Sequence, residues 1–154
     1  MKTFLVPVDF SAVTDHVVDT AVSLARSLDG KVILAHVIQP PLAISEYGLP
    51  VEALQPDNII IIEQTATSCL AELEERVAKE GVSVSTVLLH GAPVATLLEE
   101  ADKVQADYIV MGSHGHGKFY DLLVGSTASG LLKRAKCALV ILPPAAKPAQ
   151  KPAP

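Results

Sequence analysis

Short, unbroken apolar runs set at regular intervals along the chain constrain it more than any other feature. Thr3 to Val8, Val32 to Val37, Val82 to Leu89, Tyr108 to Met111 and Ala138 to Leu142 are mostly continuous hydrophobic segments. Strands of that kind are buried on both faces, as in parallel sheets. Between them lie stretches with apolar residues three and four apart. The first carries Val13, Val17, Ala21, Leu24 and Leu28, with Ser11 as cap and Gly30 as stop. A second, long one follows Asp57-Asn58, places Ile59, Ile62, Ala66, Leu70, Leu73 and Val77 on one face, and stops at Gly81. The third opens with Pro93, where a proline loses nothing, and aligns Val94, Leu97, Leu98 and Ala101. The fourth runs from about Ser126 to Ala135, with Ala128, Leu131, Leu132 and Ala135 on one face.

Strands alternating with helices through right-handed crossovers predict an α/β fold, a doubly wound parallel sheet with helices on both faces. With five strands, the order 3-2-1-4-5 leaves Ala138 to Leu142 at an edge. At 154 residues the chain has room for one domain. Residues 1–143 form it, and 144–154, rich in Pro, Ala and Lys, are expected to be a disordered tail. In such a sheet, ligands bind at the carboxyl ends of the strands where the winding reverses. The loops after Val8, Val37 and Met111 all reach that edge.

The loop after Met111 carries chemistry. Met111-Gly112-Ser113-His114-Gly115 is followed, after nine residues, by Gly125-Ser126-Thr127. Glycines let main-chain N–H groups approach an anion, and a helix opening at Ser126 or Thr127 directs its first free N–H groups at one. A phosphorylated small molecule is the ligand these features suit. Gly112, Gly117 and Lys118 imitate a P-loop, but Phe119 stands where the Ser/Thr that binds magnesium belongs. The dinucleotide fingerprint fails as well, for Gly115-His116-Gly117 lacks its third glycine.

The remaining spacing, Gly112-x-x-Gly115-x9-Gly125-Ser126, resembles the nucleotide-binding signature of the universal stress protein family. Phe4 to Ser11, Val32 to Val37 and Cys137 to Pro143 are similar to that family too, in the same order. The resemblance implies a fold of the adenine nucleotide alpha hydrolase type and an ATP site, with Mg²⁺ arriving on the nucleotide. It implies nucleoside contacts from Asp9 and the main chain of Val37, a wall from Pro7 to Ser11, and a phosphate cradle from Met111, Gly112, His114, Gly115, Gly125, Ser126 and Thr127. It also implies a homodimer through Ala138 to Leu142, an edge that otherwise invites pairing. From the residues alone, Asp9 serves equally as a turn or capping residue, and Val37 as core. The segment from Ile38 to Pro56 is either a lid over the base or a long connection.

Other chemistry finds little support. His114-x-His116 lacks a third ligand, and His36, inside a strand, reads as a hydrogen-bonded core residue. Cys69 lies mid-helix and Cys137 begins a strand, neither beside a histidine, so no nucleophile and base are assembled. A net charge of −5 argues against nucleic acid, because the only basic cluster is Lys133, Arg134 and Lys136 at a helix end. No apolar stretch suits a leader or a membrane span, and no C-x-x-C is present, so a cytoplasmic protein is expected. The leading expectation is an ATP-binding, dimeric stress-response regulator. The alternatives are a nucleotide-free interaction module of the same fold and a slow ATPase or nucleotidyl-transfer enzyme.

Overall fold

The computed structural model describes residues 1–40, 56–114 and 124–144. Five strands form one parallel sheet: β1 (Lys2–Pro7), β2 (Gly30–Ile38), β3 (Ser83–His90), β4 (Tyr108–Gly112) and β5 (Ala138–Leu142). Their order is β3-β2-β1-β4-β5, as the alternating pattern predicts. Four helices cover it: α1 (Thr14–Ser27), α2 (Pro56–Lys79), α3 (Pro93–Lys103) and α4 (Ser126–Arg134).

Strand periodicity divides the core in two. Phe4, Val6 and Val8 point to the face that carries Val17, Val18 and Ala21 of α1 and Leu70 and Val77 of α2. Leu5, Ile33, Ile109 and Met111 point the other way, onto Leu97 and Ala101 of α3 and Ala128 and Leu131 of α4. Phe4 pairs with Tyr108 in register, and their rings stack at 4.9 Å across β1 and β4. Each fully buried aliphatic or aromatic side chain contributes about 1.5–3 kcal/mol relative to exposure.

The structure corrects several local expectations. Ser11 does not cap α1: the N-cap is Val13, without a side-chain bond, and Thr14 N–H donates to the Ser11 carbonyl instead. Gly30 does not stop that helix, which ends at Ser27; Asp29 takes the positive φ of the turn, and Gly30 already begins β2. Leu28 is exposed, while Val18, Val22 and Ala25 are buried beside Val17 and Ala21, so the apolar stripe of α1 is wider than its longest series suggested. In α4, Leu131 is buried but Leu132 is 62% exposed, one residue round the helix. Ile59 to Ile62 are all exposed, because the first turns of α2 extend beyond the side chains that bury Ala66, Leu70 and Val77. Of the segment weighed as a lid, Ile38 to Pro56, residues 41–55 lie outside the described residues, as do residues 145–154 of the tail.

Candidate functional site at the carboxyl edge of the sheet

A cavity of 580 Å³ opens where β1, β2 and β4 end and α1, α3 and α4 begin. On the β1 side its wall is Pro7, Val8 and Asp9. The turn beyond is tightly determined: Asp9 Oδ1 accepts the Ser11 N–H at 3.0 Å, and Phe10 adopts φ 60°. A bulky residue in that left-handed region needs support from its surroundings. Phe10 has it, for its ring lies 4.5 Å from His36, whose Nδ1–H donates to the Val8 carbonyl at 2.7 Å. His36 is therefore hydrogen-bonded, as expected, and it also lines the cavity.

On the β2 side are Ala35, His36, Val37 and Gln39. The ladder between β1 and β2 ends at the Pro7–Ala35 pair, so Val37 continues alongside β3 alone, and it lines the wall. Val13, Thr14 and Val17 of the α1 region and Pro93 and Leu97 of α3 close the cavity between them.

Opposite Asp9, two chain segments far apart in sequence come together. Met111, Gly112 and His114 contribute from the end of β4, and Gly125, Ser126, Thr127 and Ala128 from the start of α4. They are joined by a bond from Gly125 N–H to the Ser113 carbonyl at 2.6 Å. A Cβ on Gly125 would lie 2.9 Å from that carbonyl oxygen, so only glycine permits the approach. Among the described residues, the α4 N-terminus has no side-chain cap; Gly125, its N-cap, is extended, and the first N–H groups of the helix are left for another acceptor. The wall contains no Lys or Arg among the described residues. Among the described residues, an anion here would meet main-chain donors and the partial positive charge of a helix start.

Of the residues singled out in sequence, Pro7, Asp9, Val37, Met111, Gly112, His114, Gly125, Ser126 and Thr127 share this cavity. Ser11 is not on its described wall, and its buried Oγ has no hydrogen-bond partner among the described residues. Gly115, His116, Gly117 and Lys118 lie outside the described residues. Sequence reasoning passed over Val13, Thr14, Gln39, Pro93 and Leu97, which belong to the wall because their elements begin or end beside it. It also treated Ser113 as a spacer. No group of three or more His, Cys, Asp or Glu able to hold a metal occurs among the described residues.

Comparison with known proteins places the chain in a family and agrees with the fold. The model of the universal stress protein family matches residues 1–143. The chain belongs to the universal stress protein family. Universal stress protein A homolog 1 of Coxiella burnetii is 32% identical over 138 residues, spanning 88% of this chain and 92% of its own. Among solved structures, the MJ0577 protein of Methanocaldococcus jannaschii superposes with a TM-score of 0.79 at 21% identity, covering 95% of this chain and 98% of its own. A universal stress protein in complex with cAMP superposes with a TM-score of 0.66 at 25% identity, covering 92% of this chain and 95% of its own. Within this family frame, no helix among the described residues is long and apolar enough to cross a membrane.

Proposed function

We propose that this universal stress protein binds an adenine nucleotide, ATP with Mg²⁺, in the carboxyl-edge cavity, and that occupancy biases its conformation, assembly or choice of partner in the cytoplasm. The observation that carries the reading is the Gly125 N–H bond to the Ser113 carbonyl at 2.6 Å, which brings both glycine turns to one place. The nucleoside lies toward Asp9 and the main chain of Val37, and the phosphates lie at the start of α4, with donors from Gly112, Ser126 and Thr127. The donor set fits an anion and its metal, since Mg²⁺ keeps most of its waters and leans on phosphate oxygens. A related protein holds cAMP, which supports an adenine ligand. Among the described residues no nucleophile is paired with a base, which favours the nucleotide as a signal over a substrate.

A two-fold mate pairs along β5, the outer strand of the sheet. Two copies of one edge strand related by a two-fold axis run antiparallel and cover each other's open backbone groups.

The test is calorimetric titration of ATP and Mg²⁺ into the wild-type protein and the Gly115→Val, Gly125→Val double variant. Saturable heat in the wild type and none in the variant are expected. Equal affinities would remove the glycine turns from the site.

A further inference from the structure

His36 stands in the wall of the carboxyl-edge cavity, half-buried, with its ring held in two ways. Its Nδ1 lies 2.7 Å from the Val8 carbonyl, just beyond the end of β1. One face of the ring lies against Phe10, centroid to centroid at 4.5 Å and tilted by 31°, and Phe10 is the residue that holds φ 60° in the turn after Asp9. The hydrogen bond fixes where the ring points and the aromatic contact fixes its plane, so β2 presents this imidazole in one orientation.

A carbonyl oxygen only accepts hydrogen bonds, so the hydrogen between His36 and Val8 belongs to Nδ1. A neutral ring that carries its hydrogen on Nδ1 has a lone pair on Nε2, which is then an acceptor. That atom has no partner among the described residues. Nor is it one of the buried side-chain atoms left unpaired among them, so it is open to what enters from solvent.

We propose that His36 contacts the bound nucleotide directly, its Nε2 accepting a hydrogen bond from a donor on the nucleoside, the exocyclic amine of the base or a ribose hydroxyl. This rests on the nucleotide reading of the cavity. The tautomer decides which part of the ligand the ring receives: phosphate oxygens bring only lone pairs and are repelled by another, whereas an N–H or O–H is met. His36 thus turns the nucleoside toward β1 and β2 and leaves the phosphates to the start of α4, where the donors are main-chain N–H groups. The Val8 carbonyl sets that preference, since the opposite tautomer would make Nε2 a donor and reverse it.

The experiment measures by calorimetry the affinities of ATP, ITP, 2′-deoxy-ATP and 3′-deoxy-ATP, each with Mg²⁺, for the wild type and His36→Asn. The asparagine amide keeps an N–H near the Nδ1 position for Val8 and has nothing at Nε2. For one of the three analogues, the preference for ATP is expected to shrink about threefold to tenfold in His36→Asn, as for one neutral hydrogen bond. ITP is that analogue if the amine makes the contact, and a deoxy analogue if a hydroxyl does. Long-range ¹H–¹⁵N NMR of the wild type is expected to show the Nδ1–H pattern for His36 and an Nε2 resonance that moves on saturation with ATP, a readout that stands even if His36→Asn folds poorly. Equal loss of all four ligands in His36→Asn, an Nε2–H pattern in the wild type, or an Nε2 resonance that ATP leaves in place overturns the proposal while leaving the nucleotide site standing. Failure of the wild type to bind any of the four overturns both.

Discussion

The sheet has a cavity at each end of its strands, and the two differ in kind. The one at the amino ends is larger, 810 Å³ against 580 Å³, and far more charged, with Asp102, Asp107, Arg134 and Lys136 in its walls. Much of that charge is already matched: Lys136 reaches Asp102 at 2.9 Å, and Lys2 reaches Asp107 at 3.0 Å. Helix α4 runs from one cavity to the other, with Ser126 at the carboxyl edge and Arg134 at the amino edge. Its N–H groups thus open on the smaller cavity and its carbonyls on the larger. Burial pushes up the thiol pKa of Cys137, in the larger one. Volume and charge count favour the amino end; main-chain donors left unmatched among the described residues favour the carboxyl end, where the nucleotide is proposed to bind.

Mutating the two ends of α4 in opposite senses should break this symmetry most sharply. Ser126→Asp puts a carboxylate where the proposed function places the phosphates, yet a carboxylate in the first turn favours the helix by about 0.3–1 kcal/mol. ATP affinity is expected to fall at least about tenfold, 1.4 kcal/mol or more, while the melting temperature holds or rises. Arg134→Asp does the reverse: it weakens the helix by a similar small amount and leaves affinity alone. Calorimetry and thermal unfolding on both variants check the pair, and a loss of affinity in Arg134→Asp would mean that the amino-edge cavity takes part in binding.

Gly30→Ala gives the next largest effect, and it is purely structural. Gly30 opens β2 at the amino edge, and a Cβ there would lie 2.5 Å from Cε2 of Phe4. Phe4 is fully buried and stacked on Tyr108, so its ring has little room to yield. Overpacking of this kind costs about 1–3 kcal/mol. Urea unfolding should show that loss with ATP affinity within about twofold of wild type; a large fall in affinity would show that the amino edge is coupled to the site.

The contrast between the ends also explains what could be read from the sequence. Strand positions and order were legible because buried parallel strands leave unbroken apolar runs, and Gly125 stood out because its close main-chain approach to Ser113 admits no other residue. Side-chain direction in the helices was less so: Leu131 and Leu132 differ by one step, and only packing decides which is buried. The exposed Ile59 to Ile62 show the same limit, since periodicity reports a face and not whether anything covers it. Ser11 and Gly30 were misjudged because the turns beside them are settled by neighbours distant in sequence, His36 against Phe10 for the first and Lys2, whose N–H donates to the Asp29 carbonyl, for the second. Ser113 was invisible for a related reason: its partners are Leu142 and Gly125, and nothing in its own residue type announces them.

The smallest effect expected is at Asp107, where the amino edge is fastened. Its Oδ2 accepts the Thr3 N–H at 2.8 Å and its Oδ1 meets Lys2 at 3.0 Å. The Thr3 main-chain bond first, and Lys2 second, hold its carboxyl below the usual carboxylate range. A depressed carboxylate contributes stability that is present above its unfolded pKa and is lost as the pH falls through the folded one. Asp107→Asn keeps an acceptor for Thr3 and removes only the charge, so it should be slightly less stable than wild type at pH 7, and less distinguishable still in high salt because the pair is exposed. On acidification the wild-type carboxyl is itself protonated, and the gap between the two proteins should close. Denaturation midpoints for both across the acid range test this, and a gap that stays constant with pH would show that Asp107 acts through packing or its Thr3 bond and not through charge.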